Sequence, residues 1–114
     1  MEKGVFCVIE VQPITIQGIG FTAITVKLPK TNFMAVTGAD GYIMCGALDV
    51  GLLNEKLKER GILAGRAVGV RTIDQLLDAP LESVTLAAEE KGVKKGTIGS
   101  DAMLLLHGIT PEAK

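Results

Sequence analysis

The chain has 114 residues, 47 % hydrophobic and 22 % charged, which fits one core-forming domain and excludes a disordered chain. Twelve basic residues against thirteen acidic ones leave a formal net charge of -1. With no Trp, one Tyr and three Phe, the chain offers neither a basic footprint nor a stacking platform for nucleic acid.

The first 45 residues read as strands. Val5 to Ile16 is rich in Val and Ile, which suit a pleated surface. Val5 to Ile9 is apolar on both faces, whereas a lone antiparallel sheet alternates apolar and polar residues. Such a strand needs cover on both sides, and a second copy of the chain is the simplest cover for one of them. The alternative is a strand sandwiched within its own chain. Gly18-Ile19-Gly20 breaks the run. Phe21 to Leu28 follows, with Thr22, Ile24, Val26 and Leu28 on one face and Phe21, Ala23, Thr25 and Lys27 on the other. Pro29 to Asn32 is a turn signal, Phe33 to Thr37 a third strand, Gly38-Ala39-Asp40-Gly41 a hairpin connection and Tyr42 to Cys45 a fourth strand.

From Gly46 the period changes. Ala47, Val50, Leu53 and Leu57 recur three or four apart, which predicts an amphipathic helix closed by Gly61. Leu63 to Val70 reads as a fifth strand. Together, residues 42–70 fit a right-handed βαβ crossover with parallel strands. Thr72 and Gln75 fit a capping box for a short helix ending before Pro80. Leu81, Val84, Ala87 and Ala88 predict another helix stopped by Gly92, with a strand around Val84 and Thr85 as the lesser alternative. Ser100 caps a last helix through Leu106, closed by Gly108, and Ile109 to Lys114 is expected to be a loose tail. The expectation is a single α+β domain, 1–114. A mostly antiparallel sheet of four or five strands is followed by three or four short helices. Residues 1–45 form its β-rich oligomerisation region and 46–108 its helix-rich region.

The junction from Tyr42 to Asp49 carries the candidate chemistry. A strand runs into a helix through Gly46, and the first N–H groups of a helix favour an anion or oxyanion. Cys45 lies beside them, where a thiolate is favoured. Cys45 is therefore the candidate nucleophile; lining a ligand site and packing as a small hydrophobe are its other readings. A Cys45–His107 pair depends on tertiary folding. Cys7 reads as structural. Asp49 suits the first helical turn by charge alone, or acts as an acid, a base or the partner of a buried Arg. Arg66 sits in an otherwise small, apolar strand and needs a partner such as Asp49. The ligand-binding candidates are Cys45, Gly46, Asp49 and Arg66, for a small anionic molecule. Walker, dinucleotide and G-x-S-x-G motifs are missing, and one His with two separated Cys makes no zinc site, so no cofactor or metal is expected. No apolar run reaches the roughly 18 residues of a membrane span. Val5 to Ile9 is too short for a secretory signal, and two cysteines make no disulfide framework. A cytoplasmic protein is expected.

Three blocks then become recognisable: Phe21 to Thr31, Gly41 to Gly51 and Ala64 to Val70. Together they resemble the YunC-like family of uncharacterised bacterial and archaeal proteins, over roughly residues 12–106. The resemblance implies a cytoplasmic protein whose N-terminal β region mediates tetramer formation. It carries no established activity, so it assigns no catalytic residue.

Overall fold

A computed structural model describes residues 9–29, 31–46 and 60–111. Six strands form one sheet in chain order: β1 Ile9–Ile16, β2 Ile19–Leu28, β3 Thr31–Thr37, β4 Gly41–Met44, β5 Leu63–Arg66 and β6 Ser83–Val84. Among the described residues three helices complete the fold: α1 Ile73–Asp78, α2 Leu86–Glu90 and α3 Gly99–Leu106. The α+β class is as expected, with more strands than the four or five anticipated. Val5 to Val8, the predicted helix after Gly46 and Asp49 lie outside the described residues.

β1 and β2 close through a two-residue loop. Gln17 and Gly18 both have positive φ, 51° and 81°, and Ile16 pairs with Ile19. That geometry matches the right-handed twist of the strands it joins. All neighbouring strands are antiparallel except β4 and β5, which run parallel with Gly41 beside Leu63 and Met44 beside Arg66. This is the pairing the βαβ reading required.

Residues directly opposite in the sheet share a face. Ile14, Ile16, Phe21, Ala23, Met34, Val36 and Ile43 therefore face one side, where they meet Leu76, Leu81, Met103, Leu104 and Leu106 in the main core. Each fully buried aliphatic side chain there contributes about 1.5–3 kcal/mol. The opposite face carries Val11, Ile24, Val26, Ala35 and Met44. Only its β4–β5 end forms a cluster among the described residues, where Ala64 packs with Tyr42, Met44 and Ile62.

Three predicted boundaries move. β5 stops at Arg66 rather than Val70, and Gly69 (φ 77°) lies in the left-handed region. Leu81 to Val84 is not helical, because its backbone donors go elsewhere. Leu81 N–H donates to Thr97 O at 2.8 Å and Glu82 N–H to Arg66 O at 2.7 Å. β6 forms against β5 instead, and Thr85 caps α2. α3 starts at Gly99, with Ile98 and not Ser100 as its N-cap. The start is set by docking on α1: Gly99 N–H donates to Ala79 O at 3.0 Å, and a Cβ on Gly99 would collide with Leu76 O. Thr72 caps α1 as predicted, accepting from Gln75 N–H at 3.1 Å, while Gln75 Oε1 accepts from Arg71 N–H rather than from Thr72. Gly108 closes α3: its N–H donates to Leu105 O, and Ile109 N–H to Leu104 O. Ile109 packs against the core, so the tail expected to be loose is held at its first residue.

Thr85 ties helix to sheet. Its hydroxyl donates to Ile62 O at 2.6 Å and accepts from Ala64 N–H and Ala88 N–H, both at 3.2 Å. Thr85→Val leaves those buried groups unsatisfied and uncaps α2, so chemical denaturation is expected to show a loss of about 2–4 kcal/mol. Thr85→Ser should retain most of that stability.

Candidate functional site

The exit of the parallel pair places Gly46 beside Arg66, while the Cys45 side chain turns into the core. Cys45 and Gly46 follow β4, and Arg66 ends β5 beside Met44. A Cβ on Gly46 would stand 3.8 Å from Arg66 Nη2 and 4.0 Å from its Nε, so the guanidinium lies along the Gly46 backbone. The fourth candidate, Asp49, lies outside the described residues, and so does its expected pairing with Arg66.

Among the described residues Arg66 pairs instead with Glu82, Nη1 to Oε1 at 3.7 Å, with side chains 33 % and 47 % exposed. A long, solvated pair of that kind contributes about 0–1 kcal/mol. Arg66 Nε is buried and has no hydrogen-bond partner among the described residues. A buried guanidinium N–H without an acceptor is uncommon, and it marks a place where an acceptor fits.

Cys45 is 7 % exposed and belongs to the main core. Its Sγ accepts from Met34 N–H at 3.4 Å, while its own N–H donates to Met34 O at 3.0 Å. The thiol thus extends the β3 pairing past the end of β4. His107 is at the other end of that strand, against Gly41, which is four residues from Cys45 and so about 13 Å from it along an extended strand. Its Nε2 accepts from Asp40 N–H at 3.0 Å and Gly41 N–H at 3.3 Å, and its Nδ1 contacts Met103 O at 2.7 Å. Since the Met103 carbonyl only accepts, Nδ1 carries the proton and Nε2 is the acceptor. The fold does not bring Cys45 and His107 together.

His107 instead latches the β3–β4 hairpin onto α3. Its ring meets Phe21 edge-on, with centroids 5.2 Å apart. Gly38 makes the approach feasible: a Cβ there would collide with His107 Nε2 and stand 2.9 Å from Phe21 Cδ1. Nothing in the sequence flags this latch, apart from the residue type itself, because 67 positions separate Asp40 from His107. Among the described residues no group of three or more His, Cys, Asp or Glu side chains could hold a metal ion. No described helix is long and apolar enough to cross a membrane.

Among the described residues, a six-stranded, mostly antiparallel sheet with one parallel pair and three short helices defines an α+β protein with an Arg-lined strand exit. Residues 44–106 match the family described as Domain of unknown function (DUF1805). Over 96 residues the chain is 74 % identical to the uncharacterized protein YunC of Bacillus subtilis strain 168, covering 84 % of this chain and 95 % of that protein. It also resembles the crystal structure of a protein of unknown function from Thermoplasma acidophilum. The TM-score is 0.72 at 26 % identity, over 80 % of this chain and 85 % of that one. The chain belongs to the YunC-like, DUF1805 family. Its relatives are uncharacterised and carry no activity to transfer.

His107→Leu removes the acceptor of two hairpin N–H groups. It is expected to cost about 1–3 kcal/mol by denaturation and to speed amide exchange at Asp40 and Gly41 first.

Proposed function

We propose that this chain acts in the bacterial cytoplasm as a homo-oligomer, a tetramer on the family resemblance, assembled through the face of β1–β3 turned away from the helices. The observation that carries the reading is the apolar character of that face. Val11 is 64 % exposed and sits opposite Ile24, with half-buried Val26 next along the same face. Ile9, opposite Val26, is 55 % exposed. Apolar residues clustered on a sheet face favour burial against a partner. A second copy supplies a matching face by symmetry.

Within that assembly, the exit of β4 and β5 is proposed to bind a small anionic metabolite. The buried Nε of Arg66, without a partner among the described residues, favours this reading, together with the Gly46 backbone beside it. An anion bound there would take hydrogen bonds that Glu82, at 3.7 Å, satisfies poorly. Thiol-dependent hydrolysis or transfer at Cys45 is the weaker alternative, because Sγ is buried and already accepts an N–H, with His107 at the far end of β4. A purely structural or adaptor oligomer is what remains if assembly holds and no anion binds.

Sedimentation velocity separates the parts. Wild type should run as a multiple of the 12.0 kDa chain and Val11→Asp as a folded monomer, whereas a monomeric wild type removes the assembly reading. Phosphate or citrate at a hundredfold excess over its dissociation constant should stabilise wild type by about 2.7 kcal/mol, read as a raised thermal midpoint. Arg66→Met should show no such rise. An equal rise in both proteins would place the anion elsewhere.

A further inference from the structure

A second cleft lies on the helix side of the sheet, away from both the proposed assembly face and the Arg66 exit. Its volume is about 360 Å³, and it lies between β1–β3 and the segment leading into α1. Strand register builds one wall. Glu10 stands opposite Thr25, which stands opposite Met34, and Lys27 stands opposite Asn32. Arg71 and Asp74, flanking the Thr72 cap, form the other wall.

The charges are balanced. Each wall carries one cation and one carboxylate, Lys27 with Glu10 and Arg71 with Asp74. Lys27 Nζ is 3.2 Å from Glu10 Oε2, with both side chains more than 40 % exposed, a solvated pair that exchanges partners at little cost. Arg71 and Asp74 form no ion pair among the described residues. The floor is apolar: Met34 is buried, and Ile14 and Ile73 are half-buried.

An ion of one sign meets as much repulsion as attraction in such a cleft. A small molecule carrying both signs meets complementary partners at once, and an aliphatic group between them would rest on the floor. We propose that this cleft binds a free aliphatic α-amino acid as its zwitterion. The carboxylate goes to Arg71 and Lys27, the ammonium to Asp74 and Glu10, and the side chain to Met34 and Ile73. Arg71 offers the planar fork that suits a carboxylate. This site shares no residue with the Arg66 exit, so either can fail without the other.

Calorimetric titration of the full chain tests the proposal with three probes: L-valine, isovalerate, which lacks the ammonium, and isobutylamine, which lacks the carboxylate. L-valine is expected to bind, and each one-charge analogue to bind at least about tenfold more weakly. Arg71→Met should weaken L-valine and isovalerate while leaving isobutylamine unchanged, and Asp74→Asn should do the reverse. Both side chains are exposed, and an unchanged thermal midpoint confirms that each variant folds. Lys27→Met serves as a second cation variant with the same expected pattern as Arg71→Met. No measurable heat with L-valine at about 10 mM, well above a millimolar dissociation constant, overturns the proposal. So do equal affinity for L-valine and isovalerate, and unchanged L-valine affinity in the Arg71 and Lys27 variants.

Discussion

Strand alternation along β1–β3 governs how this chain uses its apolar residues. Each step of the backbone sends one side chain to the helices and the next to the opposite face. On the helix side Ile14, Ile16, Phe21, Ala23, Met34 and Val36 are enclosed. On the other side Val11, Ile24 and Val26 are not, because the described helices all serve the core or the β4–β6 end. A register slip of one residue would exchange the two sets. Register is pinned by the tight Gln17–Gly18 turn and by the pairs that run from Ile9–Val26 to Ile16–Ile19.

The same sheet places chemistry at its two ends through β4. At the strand's start, its Gly41 amide and the neighbouring Asp40 amide are held by His107, which ties the β3–β4 hairpin to α3 and Phe21. At its finish, Cys45 spends its sulfur on Met34 while Gly46 leaves room for the Arg66 guanidinium. A thiol that continues a strand's pairing is structural in effect, and the polar character of this end comes from Arg66. The Thr85 hydroxyl secures that arrangement from below, since it fixes β5 at Ala64, two residues before Arg66.

Much of the sheet was legible in the sequence. β-branched runs separated by Gly18, Pro29 and Asp40-Gly41 mark β2, β3 and β4, and Thr72 marks α1 through its own side chain. What was not legible depends on partners distant in sequence. β6 is two residues long, and the neighbouring donors at Leu81 and Glu82 are drawn to Thr97 and Arg66. The early start of α3 follows from the contact of Gly99 with Leu76 O, which no local cap signal encodes. At the candidate site, Cys45 and Gly46 were named from a strand-to-helix junction and Arg66 from its place in an apolar strand, and the parallel pairing of β4 with β5 sets Arg66 beside Gly46. The engaged sulfur of Cys45 and the latch made by His107 required the fold.

Membership of the YunC-like, DUF1805 family supplies kinship without chemistry, so the physical account has to rest on surfaces. The outward face of β1–β3 is proposed to be covered by another copy in solution. Paramagnetic attenuation of methyl signals by a soluble relaxation agent reads that cover directly. The account predicts that the methyls of Val11, Ile24 and Val26 are shielded in the native protein to the degree of the core methyls of Val36 and Leu104. Attenuation of Val11 to the degree of an exposed side chain such as Leu86 would contradict it.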